Sequence, residues 1–293
     1  MKISEFIKEN VKLDTYSTIG IGGTARFFVE PRDVEQLRQV LRFSKENEVP
    51  FFVLGGGSNT LFPDTVYNGI VIRMAKFNKV RIRGEECVVS AGFLLPRLIF
   101  LLQQESLSGL EELFEIPGTV GGAIYMNAGS FGREIGETVQ SVKILTYDGD
   151  LITLSGQELN FSYRHSDLSR FGILLEVSLK LKKSSSYKIL RVMEKVRRKR
   201  RETQPVGERT LGSAFKNPEG KSAGLLLDKA GLRGYSYGGA KFSEKHANFI
   251  VNFKNASQED VLYLLKLGKE KVKEKFGEEL EEEIIILKGG AHG

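Results

Sequence analysis

Between Ile116 and Gly129 the chain reads Ile116-Pro117-Gly118-Thr119-Val120-Gly121-Gly122-Ala123-Ile124-Tyr125-Met126-Asn127-Ala128-Gly129, with four glycines, two alanines and a threonine. Side chains this small let a second backbone or a ligand come close, and glycine takes left-handed conformations without strain. Backbone N–H groups left outward in such a stretch are suited to holding a phosphate. A glycine-rich turn packed under a sheet would have the same composition. A second stretch of this kind, Leu54-Gly55-Gly56-Gly57-Ser58-Asn59, follows the apolar run Pro50–Leu54. Two such loops, each beside a strand-like segment, point to one long diphosphate-bearing ligand gripped at two places.

A chain of 293 residues is long for one core, so two or three packed domains are expected. The single cysteine, Cys87, excludes an intrachain disulfide and a cysteine-rich metal site, and it fits a reducing cytosol. Charges at Lys2, Glu5, Lys8, Glu9, Lys12 and Asp14 leave no signal-peptide core, and no apolar run is long enough to span a bilayer. The expected location is the cytoplasm, without membrane association. A net charge of +6 suits nucleic acid or polyanionic small molecules equally. The basic run Lys195–Arg201 reads as the outer face of a helix with Ile189, Val192 and Val196 turned inward. No aromatic residue interleaves its charges as base stacking would require.

Hydrophobic periodicity predicts a strand at Arg26–Glu30, then a helix capped by Asp33 with Val34, Leu37, Val40 and Leu41 on one face, then a buried strand at Pro50–Leu54. Strands follow at Gly69–Arg73, Val80–Arg83 and Glu86–Ala91, the last two joined at Gly84-Glu85, with Cys87 as a small core residue. A helix is expected over Leu95–Ser106, a hairpin over Ser141–Tyr147 and Asp150–Ser155 turned by Asp148-Gly149, and a strand over Gly172–Lys183. Lys183–Ser186 reads as a linker to the basic helix Tyr187–Glu202. Beyond lie a loop, a short helix at Ser222–Ala230 and a strand at Asn248–Asn252. Ser257, with Asp260 three residues on, opens a last helix, and Ile284–Leu287 forms a closing strand. The architecture is α+β in three lobes, 1–75, 76–185 and 186–293, with the C-terminal strand able to return to the first.

Several motifs fail on inspection. Gly20-Ile21-Gly22-Gly23 lacks the pattern and the acidic partner of a dinucleotide fingerprint, and Phe215 stands where the first glycine of a phosphate loop ending Gly220-Lys221-Ser222 should be. His165, His246 and His292 are widely separated and have no cysteine partners, so no metal is expected. Three places remain. Arg164, in Tyr163-Arg164-His165-Ser166, has the planar fork that matches a carboxylate. Ser213, between Gly212 and Ala214, is sterically uncovered, with Lys216 and Asn217 close by to bind a phosphate or polar head group. Glu283 is the last carboxylate before four apolar residues, at a strand start.

In order and spacing, Pro50–Asn59, Ile116–Gly129, Tyr163–Ser166, Gly212–Pro218 and Leu280–Ile286 resemble the UDP-N-acetylenolpyruvoylglucosamine reductases, also called UDP-N-acetylmuramate dehydrogenases. The resemblance covers nearly the whole chain. It implies two lobes forming an FAD-binding unit like that of vanillyl-alcohol oxidase, and a third α/β domain for a UDP-sugar. It further implies cofactor contacts from Gly55, Gly56, Gly57, Ser58, Asn59, Ile116, Gly118, Thr119, Gly121, Gly122, Ala123 and Asn127. Substrate would meet Tyr163, Lys216, Asn217, Lys241 and His246, while Ser213 donates a proton with Arg164 and Glu283 as partners. NADPH would be the reductant, with no nucleic acid and no obligate protein partner. The chain passes into its basic helix with no room for the tyrosine-bearing insertion of one branch, so it resembles the shorter branch. Two other readings stay open on the residues: a different FAD oxidoreductase that keeps both glycine loops, and a nucleic-acid-binding module resting on Lys195–Arg201.

Overall fold

Segments distant in sequence gather into two compact units, one made of residues up to 8, 27–56 and 70–198, the other of 9–26, 57–69 and 199 onward. The computed structural model describes residues 3–289, so His292 lies outside the described residues. This division differs from the expected lobes 1–75, 76–185 and 186–293. Segments 9–26 and 57–69 join the C-terminal part by strand pairing and by a side-chain bond: Thr60–Leu61 runs parallel to Ile285–Ile286, and Asn252 Nδ2 donates to the Ile19 carbonyl at 2.9 Å. The closing strand does return to the N-terminal region, but to a piece of it that belongs to the second unit.

In the first unit the hairpins Val80–Arg83/Glu86–Ser90 and Val139–Leu145/Leu151–Ser155 are joined by Ile173–Lys180 into a five-stranded antiparallel sheet, with Ile173–Lys180 at its centre. Strand alternation turns Cys87 and Val89 fully inward, and burial pushes the Cys87 thiol up to about 12, as expected of an inert core residue. The helix Leu95–Gln104 starts with proline in its first turn and lays Leu98, Ile99 and Leu102 on this core. The helix Ser186–Thr203 adds Ile189, Met193 and Val196, leaving its basic residues outward; Val192 is only partly buried. Arg197 of that helix pairs with Glu115 at 2.7 Å and lies over the Phe114 ring, so part of the basic run is tied to the protein itself.

Asp33 caps the helix Val34–Glu46 by accepting from Gln36 N–H, and Leu37, Val40 and Leu41 pack with Val29, Ile70 and Ile72. Phe51–Leu54 pairs parallel with Val66–Arg73, Phe51 opposite Ile70, and takes the edge of its sheet. Only Leu54 is buried there, and Val53 is 37% exposed, which corrects the expectation of a buried strand. An edge strand covered on one face suffices to account for the apolar run. Lys183–Ser186 is no linker: Lys182–Lys183 pairs with Leu107–Ser108, and Ser184 N–H donates to the Ser106 carbonyl at 2.9 Å.

In the second unit Thr210–Ser213, Phe249–Asn252, Ala240–Phe242 and Ser236–Tyr237 form an antiparallel sheet in that order. Against it pack the helices Ala223–Lys229, capped by Ser222, and Gln258–Phe276, where Ser257 and Asp260 close a capping box. Val261, Leu264 and Leu265 meet Phe215 and Leu227 in the core. Gly268 lets helix and core approach, since a Cβ there would stand 3.1 Å from the Phe215 ring. Among the described residues no helix is long and apolar enough to cross a membrane.

Candidate active site

The two glycine stretches meet within the first unit. A Cβ on Gly56 would lie 2.6 Å from the Gly118 Cα, and one on Gly55 would lie 2.6 Å from Thr119 Oγ1. The 116–129 stretch is not a loop throughout, as its composition suggested. Val120–Tyr125 is a short helix, with Thr119 as N-cap accepting from Gly122 N–H at 3.4 Å. Packing rather than propensity makes the helix: Val120 N–H donates to the Phe93 carbonyl, Gly121 N–H to the Ala91 carbonyl, and Leu95 N–H to the Gly118 carbonyl. Val120, Ala123 and Ile124 face the core, whereas Gly56 and Gly122 lie on the surface as bare backbone. No side chain stands over this surface at Gly56 and Gly122, so a ligand can approach its backbone closely, although the first-turn N–H groups of the helix are already taken by Phe93, Ala91 and Thr119.

Asn127 does something else. It is 1% exposed, with Nδ2 donating to Glu134 Oε2 at 2.6 Å and to the Ser162 carbonyl at 2.9 Å, while Oδ1 accepts from Gly136 N–H. Its carboxamide is committed to the protein, and one of its partners opens the turn that carries Arg164. In that turn Ser162 and His165 exchange both backbone hydrogen bonds, leaving Tyr163 and Arg164 at the corner, with Arg164 at φ 56°. Such a conformation is unfavourable for a residue with a Cβ. It is held from outside: Arg164 Nη2 donates to the Gly129 carbonyl at 3.0 Å, its guanidinium lies over the Tyr163 ring, and Ser166 Oγ donates to the Tyr125 carbonyl. The turn is thereby bolted to the end of the glycine stretch.

In the second unit Ser213 ends the strand Thr210–Ser213 and is half-buried. The chain then runs as an extended rail between two others. On one side Glu283 N–H donates to the Ala214 carbonyl at 2.9 Å, and Lys216 N–H to the Glu281 carbonyl at 2.8 Å. Glu283, also half-buried, is held a second time by Asn59, whose Nδ2 donates to the Glu283 carbonyl at 3.1 Å while its own carbonyl accepts from Ile285 N–H. Ser213, Glu283 and Asn59 therefore share one framework. Gly57, at φ 66°, can occupy this turn only as glycine, because a Cβ would sit on the Tyr16 carbonyl oxygen.

The candidate substrate contacts divide. Lys216 Nζ pairs with Glu281 Oε1 at 2.6 Å, and Asn217 Oδ1 accepts from Ala223 N–H, helping to start the helix that Ser222 caps. Capping is also the role the structure gives to the phosphate-loop look-alike around Lys221-Ser222. Lys241 pairs with Glu244 and lies over the Phe253 ring. His246 is half-buried against Phe249 and Gly224; burial and the nearby Arg233 hold its imidazole below the usual range, and its Nδ1 accepts from Asn248 N–H at 3.2 Å. Reading the sequence missed Asn248, which is 3% exposed and bonds both backbone groups of Phe215. The available signal was one asparagine in the apolar run Ala247–Val251, since a buried carboxamide requires partners.

Comparison with known proteins gives a consistent result. Residues 204–287 match the family described as UDP-N-acetylenolpyruvoylglucosamine reductase, C-terminal domain, and residues 25–155 match an FAD binding domain. The UDP-N-acetylenolpyruvoylglucosamine reductase of Aquifex aeolicus is 41% identical over 293 residues, covering 98% of this chain and 97% of the relative. That of Anoxybacillus flavithermus is 40% identical over 284 residues, covering 96% and 94%. The crystal structure of UDP-N-acetylenolpyruvylglucosamine reductase from Thermus caldophilus superposes with a TM-score of 0.84 at 39% identity, covering 96% of this chain and 99% of that one.

Proposed function

The chain belongs to the UDP-N-acetylenolpyruvoylglucosamine reductase family, and on that premise we propose a role for each of its candidate site residues. It is an FAD-dependent oxidoreductase that reduces UDP-N-acetylglucosamine enolpyruvate to UDP-N-acetylmuramate in peptidoglycan precursor synthesis, with NADPH as reductant. The unit containing 27–56 and 70–198 is the FAD-binding part, and the unit from 199 onward receives the UDP-sugar. We place the reaction in the cytoplasm. Gly55, Gly56, Gly118, Thr119, Gly121, Gly122 and Ala123 hold the cofactor through the bare backbone surface where the two stretches meet, and we assign Ile116, Gly57, Ser58 and Asn59 to cofactor binding as well.

FAD held there would supply, once reduced by NADPH, a hydride equivalent for the terminal vinyl carbon of the substrate. The C=C bond opens, and its electron pair moves to the carbon that bears the ether oxygen and the carboxylate. Arg164 offers the substrate carboxylate two parallel N–H donors, which stabilises that negative charge where it develops. Glu283, whose backbone is tied to the Ser213 segment, completes the polar environment of the reacting carbon with its carboxyl group. Ser213 Oγ then gives its proton to this carbon, forming the C–H bond. A serine hydroxyl is a weak acid, but an enolate carbon is a strong base, and such a placed donor contributes about 10²–10⁴-fold. Lys216, Asn217, Lys241, His246 and Tyr163 position the nucleotide sugar.

The observation that supports this reading is the 2.9 Å hydrogen bond from Glu283 N–H to the Ala214 carbonyl, which ties the backbone of Glu283 to the residue after Ser213. The test separates the two half-reactions. Ser213→Ala is expected to let NADPH bleach the flavin at the normal rate, whereas reoxidation by UDP-N-acetylglucosamine enolpyruvate slows by about 10²-fold or more. Equal slowing of both halves would remove Ser213 as proton donor.

A further inference from the structure

The strand Thr210–Ser213 pairs with Phe249–Asn252 only as far as Ser213, which stands opposite Phe249, and the ladder is irregular between Thr210 and Ser213. Where the pairing ends, Asn248 continues it with its side chain. Its own carbonyl accepts from Ala214 N–H at 2.7 Å, its Oδ1 accepts from Phe215 N–H at 3.0 Å, and its Nδ2 donates to the Phe215 carbonyl at 2.8 Å. A carboxamide presents one acceptor and one donor in a plane, as a peptide group does. It therefore serves Phe215 as a neighbouring strand would.

Phe215 is fully buried and Asn248 is 3% exposed, so both hydrogen bonds are sheltered from water. On the opposite edge, the Ala214 carbonyl and Lys216 N–H are taken by Glu283 and Glu281. Every backbone group from Ala214 N–H to Lys216 N–H is thus held, alternately by Asn248 and by the 281–283 segment. An apolar residue at 248 would leave the Phe215 N–H and carbonyl buried without partners, and the rail would rotate to find others. Ser213 and Glu283, attached to that rail, would move with it.

We propose that Asn248 is a positioning residue for the proton-transfer step, aligning Ser213 and Glu283 through the backbone of residues 214–216. The inference rests on the assignment of Ser213 as proton donor. Small displacements of a reacting group cost on the order of 10²-fold in rate.

Stopped-flow absorbance of the flavin in the holoenzyme tests this, with NADPH for the first half-reaction and UDP-N-acetylglucosamine enolpyruvate for the second. In Asn248→Ala, reduction by NADPH and the flavin spectrum are expected to be unchanged while reoxidation slows by about 10²-fold. Because Asn248 acts partly through Ser213, the double variant Asn248→Ala/Ser213→Ala should be slowed by less than the product of the two single effects. Asn248→Asp supplies a second readout that does not depend on the alanine variant folding. Only a protonated carboxyl group can both donate to the Phe215 carbonyl and accept from Phe215 N–H, so reoxidation should recover as pH falls, with a limb absent from the wild type. Wild-type reoxidation in the Asn248 variants, or a double variant slowed by the product of the single effects, overturns the proposal. So does an Asn248→Asp profile that matches the wild type. Normal reoxidation in Ser213→Ala alone would instead overturn the proton-donor assignment, a distinct result.

Discussion

The Asn59 carboxamide donates to the Glu283 carbonyl at 3.1 Å, joining the end of the first glycine stretch to the last carboxylate of the chain, 224 positions away. Glu283 N–H donates in turn to the Ala214 carbonyl, so the backbone of this residue is held from both sides. Glu283→Gln keeps both backbone bonds and the side-chain volume. The expected result is unchanged thermal stability and a reoxidation half-reaction slowed by about 10²–10³-fold, as for loss of one transition-state electrostatic partner. A wild-type rate would leave Glu283 as scaffold only.

Arg164→Lys should separate charge from shape. Lysine keeps the positive charge but cannot present two parallel donors to a carboxylate. Reoxidation by the enolpyruvyl sugar is expected to slow at least tenfold, with flavin reduction by NADPH unaffected. Single-turnover rates for the two halves decide it, and an unchanged second half would take Arg164 out of the site.

Gly56→Ala places a methyl group 2.6 Å from the Gly118 Cα, a contact with backbone that no rotamer change relieves. The two stretches must part, and FAD affinity is expected to fall by about tenfold or more, equivalent to about 1.4 kcal/mol. Gly84→Ala is the control: its glycine is left-handed, at φ 62°, but a Cβ there meets nothing within 4 Å. Its effect should be confined to a modest backbone penalty of about 1–2 kcal/mol in stability, with full affinity for FAD. Equal loss of flavin in both variants would show that the close approach is irrelevant to the cofactor.

Burial, with a smaller contribution from Arg233, lowers the proton affinity of His246 in the folded protein. The unfolded chain, with a histidine pKa of about 6.5, then binds more protons than the native state in the window below that value. Native stability from this residue is therefore complete above that window and falls as pH drops through it, until the folded imidazole is protonated too. In His246→Gln this part of the acid-side loss should vanish. Melting temperatures of both proteins measured across pH 5–8 test it, and superimposable pH profiles would contradict it.

Local chemistry was enough to read much of this protein from its residues. Asp33 and Ser257 cap their helices through side chains that satisfy N–H groups three residues away. Gly84-Glu85 and Asp148-Gly149 turn hairpins for equally local reasons, and Cys87 is buried by simple strand alternation. The two glycine stretches and the residue types of the site were visible for the same reason: their composition is unusual over a few positions.

Tertiary structure alone decided the rest. Phe51–Leu54 became an edge strand because Val66–Arg73 took the place beside it, and six residues of the glycine stretch became helical because residues 91–95 bind their backbone. Asn127 turned inward to Ser162, and Asn248 to Phe215, since a buried carboxamide goes wherever unpaired backbone groups lie. Those groups are brought near by pairing between segments remote in sequence, a relation that no window along the chain contains.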